Sequence, residues 1–160
     1  MAEINEEKMN KQELEDFLKT EKIMKNIFNS YNANAKLTKE PPFSYIDAKM
    51  VVKSPKNMRN YTIEIKESNV DLDKYPYMPL KVEKYINVMS ATPDGHTPLV
   101  IYLVNDEQYF IFDLTKLDLN KVELRNWNIP VVNYTDNQKY EKQPTFFIPI
   151  EMTIYNGQMI

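Results

Sequence analysis

Cysteine is absent from all 160 residues, which excludes disulfides, cysteine-ligated zinc sites and thiol catalysis. Glycine occurs only at Gly95 and Gly157. Phosphate-cradling loops and dinucleotide fingerprints need several glycines at fixed spacing, so P-loop and Rossmann readings fall away. No apolar run approaches the roughly 20 residues that a membrane-crossing helix needs. Met1 to Asn10 mixes acids and lysines without an apolar core, unlike a secretory signal, so a cytoplasmic protein with no membrane partner is expected. The single histidine, His96, falls in the turn-forming stretch Thr92-Pro93-Asp94-Gly95-His96 and reads as a loop residue rather than a ligand. An excess of positive charge is missing too. Lys and Arg number 20 against 23 Asp and Glu, a formal net charge of -3, so any DNA contact must come from a local basic patch rather than from overall charge.

What is present describes one packed α+β domain. Hydrophobic residues make up 42% and aromatic residues 12% of the chain, enough to bury a core at this length. Residues 1–10 read as a flexible tail, and 11–160 as a single domain. Asn10 followed by Glu13 is a capping-box spacing. Leu14, Phe17, Leu18, Met24, Ile27, Phe28 and Tyr31 then give one apolar stripe at helical spacing. Residues 32–42 read as a loop with room for a short edge strand. From Phe43 to Val52 the period becomes two, with Ile46, Ala48, Met50 and Val52 on one side and Tyr45, Asp47, Lys49 and Val51 on the other. After the turn Ser54-Pro55-Lys56-Asn57 a second strand, Tyr61 to Glu67, predicts an antiparallel hairpin. Pro79 suits the first turn of a helix carrying Val82, Tyr85, Ile86 and Met89. Pro98 to Val104 is an apolar run suited to a strand buried on both faces, and Tyr109 to Leu114 reads as its neighbour. Lys116 to Asn126 reads as a short helix and Phe146 to Ile150 as a closing strand.

The chemistry concentrates in Glu64-Ile65-Lys66. On a strand, Glu64 and Lys66 share a face while Ile63 and Ile65 take the other. A carboxylate there can bind a hard cation that prefers oxygen ligands. A neighbouring lysine can orient a metal-bound water and stabilise charge on a phosphate. Asp47, in the partner strand, supplies a second carboxylate. Two carboxylates, a lysine and a metal suffice for phosphodiester hydrolysis. An ordinary Glu/Lys pair on a half-buried strand is the bland alternative.

A strand with Asp47, a turn, a strand with Glu64-Ile65-Lys66, a basic amphipathic helix and an apolar strand follow one another. This order resembles the core of the PD-(D/E)xK, or restriction-endonuclease-like, nuclease superfamily, although Ile46 stands where the family's proline would be. The resemblance implies an αβββαβ core whose central mixed sheet is flanked by helices. It implies a Mg- or Mn-dependent DNA endonuclease or DNA-processing nuclease, with DNA as partner. Asp47, Glu64 and Lys66 would be catalytic, and the metal ligands would be Asp47, Glu64 and the main-chain carbonyl of Ile65. Glu13 would match an accessory acid on the first helix, and Lys81 and Lys84 would contact nucleic acid. The rival reading is a catalytically inactive nuclease fold, or another small α+β interaction or structural protein, which the acidic composition favours. The tail Val131 to Ile160 carries Phe146, Phe147, Ile148, Ile150, Ile154 and Tyr155, more apolar residues than one closing strand needs, and so offers a surface for a homodimer.

Overall fold

A computed structural model describes residues 5–130 and 140–159. Its first element is helix α1 (Glu6–Asn29), followed by strands β1 (Asn34–Lys39), β2 (Ala48–Lys53), β3 (Met58–Ser68) and β4 (Tyr77–Lys81). Helix α2 (Val82–Ala91) comes next, then β5 (Thr97–Val104), β6 (Gln108–Asp113), β7 (Glu123–Pro130), β8 (Tyr140–Pro149) and β9 (Tyr155–Gln158). Six strands form one sheet in the order β1-β2-β3-β5-β6-β9, and three form a smaller sheet in the order β4-β8-β7. In the large sheet only β3 and β5 run parallel. A parallel pair needs a crossover, and α2 lies in that connection. With β4 set aside in the second sheet, α1-β1-β2-β3-α2-β5 follows the αβββαβ order expected from the sequence, in an α+β architecture.

Strand alternation divides the interior into two cores. On one face, α1 lays Phe17, Ile23, Met24 and Phe28 over Leu37, Met50, Ile63, Leu99, Ile101 and Ile111. On the other, Val88 of α2 joins Met78 and Leu80 of β4 and Ile148 of β8 over Val100, Tyr102 and Phe112. Strand β5 feeds both cores, which explains why every residue from Pro98 to Val104 is buried.

Several elements depart from the sequence expectations. Helix α1 starts a turn earlier, at Glu6, because the Asn5 side chain accepts the Lys8 N–H at 3.0 Å. Residues 6–10 are therefore helical rather than tail, Met9 is buried, and Asn10 caps nothing. Leu14 and Leu18 of the apolar stripe are about half exposed, while Asp16 and Thr20 are buried in their stead. The segment after the helix does contain the short edge strand it had room for, β1. Strand β2 starts at Ala48 rather than Phe43, whose φ of 65° is a turn conformation that a strand residue does not adopt. Pro79 lies inside β4, an edge strand, where its missing N–H costs no ladder bond. No helix spans 116–126. A 3-10 turn ends at Lys116, and Glu123 begins β7; the run Asn126-Trp127-Asn128 has weak helix propensity, and pairing with β8 decides its state.

Residues 131–139 and 160 of the apolar tail lie outside the described residues. Of the rest of that tail, Phe146, Ile148 and Ile150 join the core under the small sheet and Ile154 and Tyr155 the one beside α1, while Phe147 packs against Trp127 and Arg125 of β7. No described helix is long and apolar enough to cross a membrane.

The two-core arrangement is checked by urea denaturation. Ile101→Ala removes a fully buried side chain and is expected to cost about 2–5 kcal/mol. Leu18→Ala, on the exposed side of α1, is expected to stay within about 0.5 kcal/mol of the parent. Equal losses at the two positions would contradict the orientation of α1.

Candidate active site

The site is built where β2 stops and β3 continues. Ala48 is the first residue of β2 and pairs with Ile63. One residue earlier, the Asp47 N–H still donates to the Ile63 carbonyl at 2.9 Å. Its carboxylate then takes over from the strand, with Oδ2 accepting the Ile65 N–H at 2.7 Å. Asp47, just before β2, thus sits beside the β3 segment carrying Glu64. Beyond Ile63 the β2-side edge of β3 has no strand partner. In an extended strand the N–H and C=O of one residue point the same way, so the Ile65 carbonyl lies along the edge that Asp47 occupies.

Alternation in β3 sends Tyr61, Ile63 and Ile65 toward α1 and Glu64 and Lys66 toward α2. Glu64 is 4% exposed. Two lysines approach the same oxygen, Oε1: Lys84 Nζ of α2 at 3.3 Å and Lys66 Nζ at 3.9 Å. Even so, the Glu64 carboxyl is pushed up to about 7, first by burial and then by the charge of Asp47, with the lysines opposing both. Burial lowers the Lys66 ammonium, and Lys84 and Lys81 reinforce that shift. Lys81, half-buried just before α2, is lowered mainly by burial. Two carboxylates and three lysines therefore feel one another across β2, β3 and the start of α2. The Tyr102 hydroxyl, beneath Glu64, donates to the Pro79 carbonyl at 2.8 Å and closes the floor.

Glu13 reaches this group from the other side of the strand edge. Its carboxyl is raised by burial and by Asp47, against Lys39 and Lys84. Since α1 is capped by Asn5, Glu13 has no capping duty. It pairs instead with Lys39 of β1 at 3.7 Å, a lysine that also donates to the Glu40 carbonyl at 3.2 Å. Lys39 was not singled out from the sequence because it lies in a strand that reads as loop.

Lys84, which the family resemblance makes a nucleic-acid contact, turns inward onto Glu64 in this structure. Trp127 lies on β7, partly exposed and edge-on to Phe147 at 5.1 Å between ring centroids. His96 sits in the turn before β5, where its N–H donates to the Pro93 carbonyl.

The carboxylates of Asp47 and Glu64 and the Ile65 carbonyl would make an all-oxygen donor set. That is the chemistry Mg²⁺ and Mn²⁺ accept. Mutual repulsion of Asp47 and Glu64, still felt with two lysines present, is what a cation between them would relieve. Among the described residues no cluster of three or more His, Cys, Asp or Glu could hold a metal, so water or substrate oxygens would have to complete the shell.

A second acidic pair lies on the α1 face. Gln12 Nε2 donates to Asp16 Oδ1 at 3.0 Å and to Glu67 Oε1 at 2.7 Å. Burial, with the adjoining Glu67 carboxyl, lifts Asp16 from an ordinary 3.8 to about 7.

No protein-family model matches the chain, and no curated protein matches it. Among solved structures it is similar to the Holliday junction resolvase Hjc of Archaeoglobus fulgidus, an archaeal hyperthermophile. Identity is 15%, over 74% of this chain and 79% of that one, with a TM-score of 0.39. The overlay is loose, and no residue of this chain takes a role from it.

The Asp16 shift has a signed consequence. A carboxyl whose folded pKa is raised favours the folded state when protonated, so its contribution is full below pH 3.8 and is lost as pH rises to about 7. Asp16→Asn keeps the shape and removes the titration. Melting temperatures of the variant measured between pH 4 and 7.5 should fall less with rising pH than those of the parent. Parallel curves would show that Asp16 is not held in its protonated form.

Proposed function

We propose that this protein is a metal-dependent DNA nuclease hydrolysing phosphodiester bonds, with Asp47, Glu64 and Lys66 as its catalytic group. The observation that carries the reading is the meeting of Asp47, Glu64 and Lys66 at the uncovered edge of β3. An acidic chain needs a local basic patch to meet DNA, and Lys66, Lys81 and Lys84 supply one around a buried carboxylate.

In this reading Asp47, Glu64 and the Ile65 carbonyl would hold Mg²⁺ or Mn²⁺. The ion would supply Lewis acidity toward a phosphoryl oxygen and a more acidic water. Lys66, anchored in β3, orients the attacking water and meets the negative charge that grows on the phosphorus oxygens. Lys81 precedes the first turn of α2, where backbone N–H groups are unpaired, and there it holds a flanking phosphate. Glu13 keeps Lys39 in place and adds negative potential behind Asp47. Tyr102 and the apolar floor keep water from Glu64, which strengthens each of these interactions.

One observation favours the non-catalytic alternative. Lys84 and Lys66 both already lie on the same Glu64 oxygen, so the charge of Glu64 is met without a metal. An inactive interaction module on the same fold would have that charge balance.

Cleavage assays separate the two. The parent is expected to cut DNA with Mg²⁺ or Mn²⁺ and to bind without cutting in Ca²⁺. Lys66→Ala should lower the rate by about 10²-fold or more, the scale for losing one group that stabilises a transition state. Because Lys66 is half-buried, Lys66→Met, which retains the aliphatic stem, should lose activity equally while better preserving the melting temperature. Lys53→Ala, exposed at the far end of β2, should be nearly silent. No cleavage of duplex, single-stranded or branched DNA by the parent would leave the interaction-module reading.

A further inference from the structure

We infer that Lys84 is a cation gate: it occupies Glu64 in the resting chain, gives way to the divalent ion, and then pairs with a substrate phosphate. The inference rests on the nuclease reading and adds to it an order of exchange between protein, metal and DNA.

Glu64 is 4% exposed, so water contributes little to neutralising it and counter-ions must. Lys84 Nζ is the nearer one, at 3.3 Å from Oε1, against 3.9 Å for Lys66 Nζ on the same oxygen. Mg²⁺ binds a carboxylate oxygen at about 2.1 Å. A divalent ion on Glu64 would then lie within a few ångström of the Lys84 ammonium, a strong repulsion where water is scarce.

Charge counting gives the same result for the whole group. Asp47 and Glu64 carry two negative charges against the ammonium groups of Lys66 and Lys84, with Lys81 a third positive charge nearby; Glu13 is matched by Lys39 at 3.7 Å. A doubly charged ion entering this group leaves at least two positive charges without partners. Removal of one ammonium, together with arrival of phosphate oxygens, restores the balance. Lys66 is fixed to the central strand that carries Glu64. Lys84 reaches in from the first turn of α2, beside Lys81, on a flexible four-carbon stem, so it is the one able to swing toward substrate.

Calorimetric titration with Mn²⁺ at pH 8 without DNA tests the gate in the full chain. Lys84→Gln is expected to bind Mn²⁺ about tenfold tighter than the parent, because a competing unit charge is gone. Lys84→Arg, which keeps the charge, should stay near the parent. A merely structural lysine would not raise metal affinity when removed. Parent binding with unchanged or weaker affinity in Lys84→Gln overturns the gate and leaves the nuclease reading standing. Absence of Mn²⁺ binding in both overturns the two together. Should Lys84→Gln fail to fold, NMR of the lysine Nζ groups in the parent decides. Addition of Mg²⁺ should speed exchange of the Lys84 ammonium protons with water while Lys66 changes less, and an unaltered Lys84 signal overturns the gate.

Discussion

Glu64 is a carboxylate almost without contact with water, set in the middle of a six-stranded sheet. Burying such a charge costs several kcal/mol unless ionic and hydrogen-bonding partners surround it. The local architecture supplies them in layers. Strand β3 carries Lys66 two residues on, on the same face. The crossover that makes β3 and β5 parallel brings α2 over that face, and with α2 come Lys84 and Lys81. Strand β2 ends one residue short of covering Glu64, and Asp47 closes the exposed edge by accepting the Ile65 N–H. Had β2 continued in register, that N–H would have been used by the ladder, and Asp47 would have had no reason to turn its carboxylate toward β3.

The opposite face of the same strand follows the same physics with a different outcome. Glu67 projects toward α1 and meets Asp16 through Gln12. There the nearest cation, Lys19, is engaged with Asp106 at 2.8 Å, so the acidic pair lowers its energy by retaining a proton. At Glu64 two lysines are at hand and share the work with protonation. Two buried carboxyls on neighbouring elements thus reach similar pKa values by different routes, one beside cations and one beside an amide and another acid. The α1 side also tethers Glu13 to Lys39, linking the helix to the edge strand next to the site.

The strands that carry the site were legible in the sequence because they obey a strict period. In β3, Ile63 and Ile65 alternate with Glu64 and Lys66, so the shared face of the two charged residues could be read without any tertiary knowledge. The apolar run from Pro98 to Val104 likewise announced a strand covered on both sides. Elements lacking such a period were not legible. Strand β1 has only Ala35 and Leu37 as buried markers, and residues 123–128 of β7 are exposed, so each is defined by its hydrogen-bonded neighbour. The start of α1 was misplaced because Asn5 and Asn10 both satisfy the local capping pattern, and only packing of Met9 selects between them.

The same division holds for function. By itself, the sequence determined which chemistries are available: no thiol, no glycine-rich phosphate loop, no histidine cluster, but carboxylates and lysines on alternating strands. It also determined that Glu64 and Lys66 point together, since alternation is a property of the backbone alone. Only the tertiary structure decided that Asp47 accepts the Ile65 N–H from just before β2, that Glu13 serves Lys39 instead of a helix cap, and that Lys84 turns inward. Those outcomes depend on where β2 ends and on which face the crossover helix covers. They are set by burial of the two cores, through residues far apart in the chain, and no local pattern around Asp47 or Lys84 encodes them.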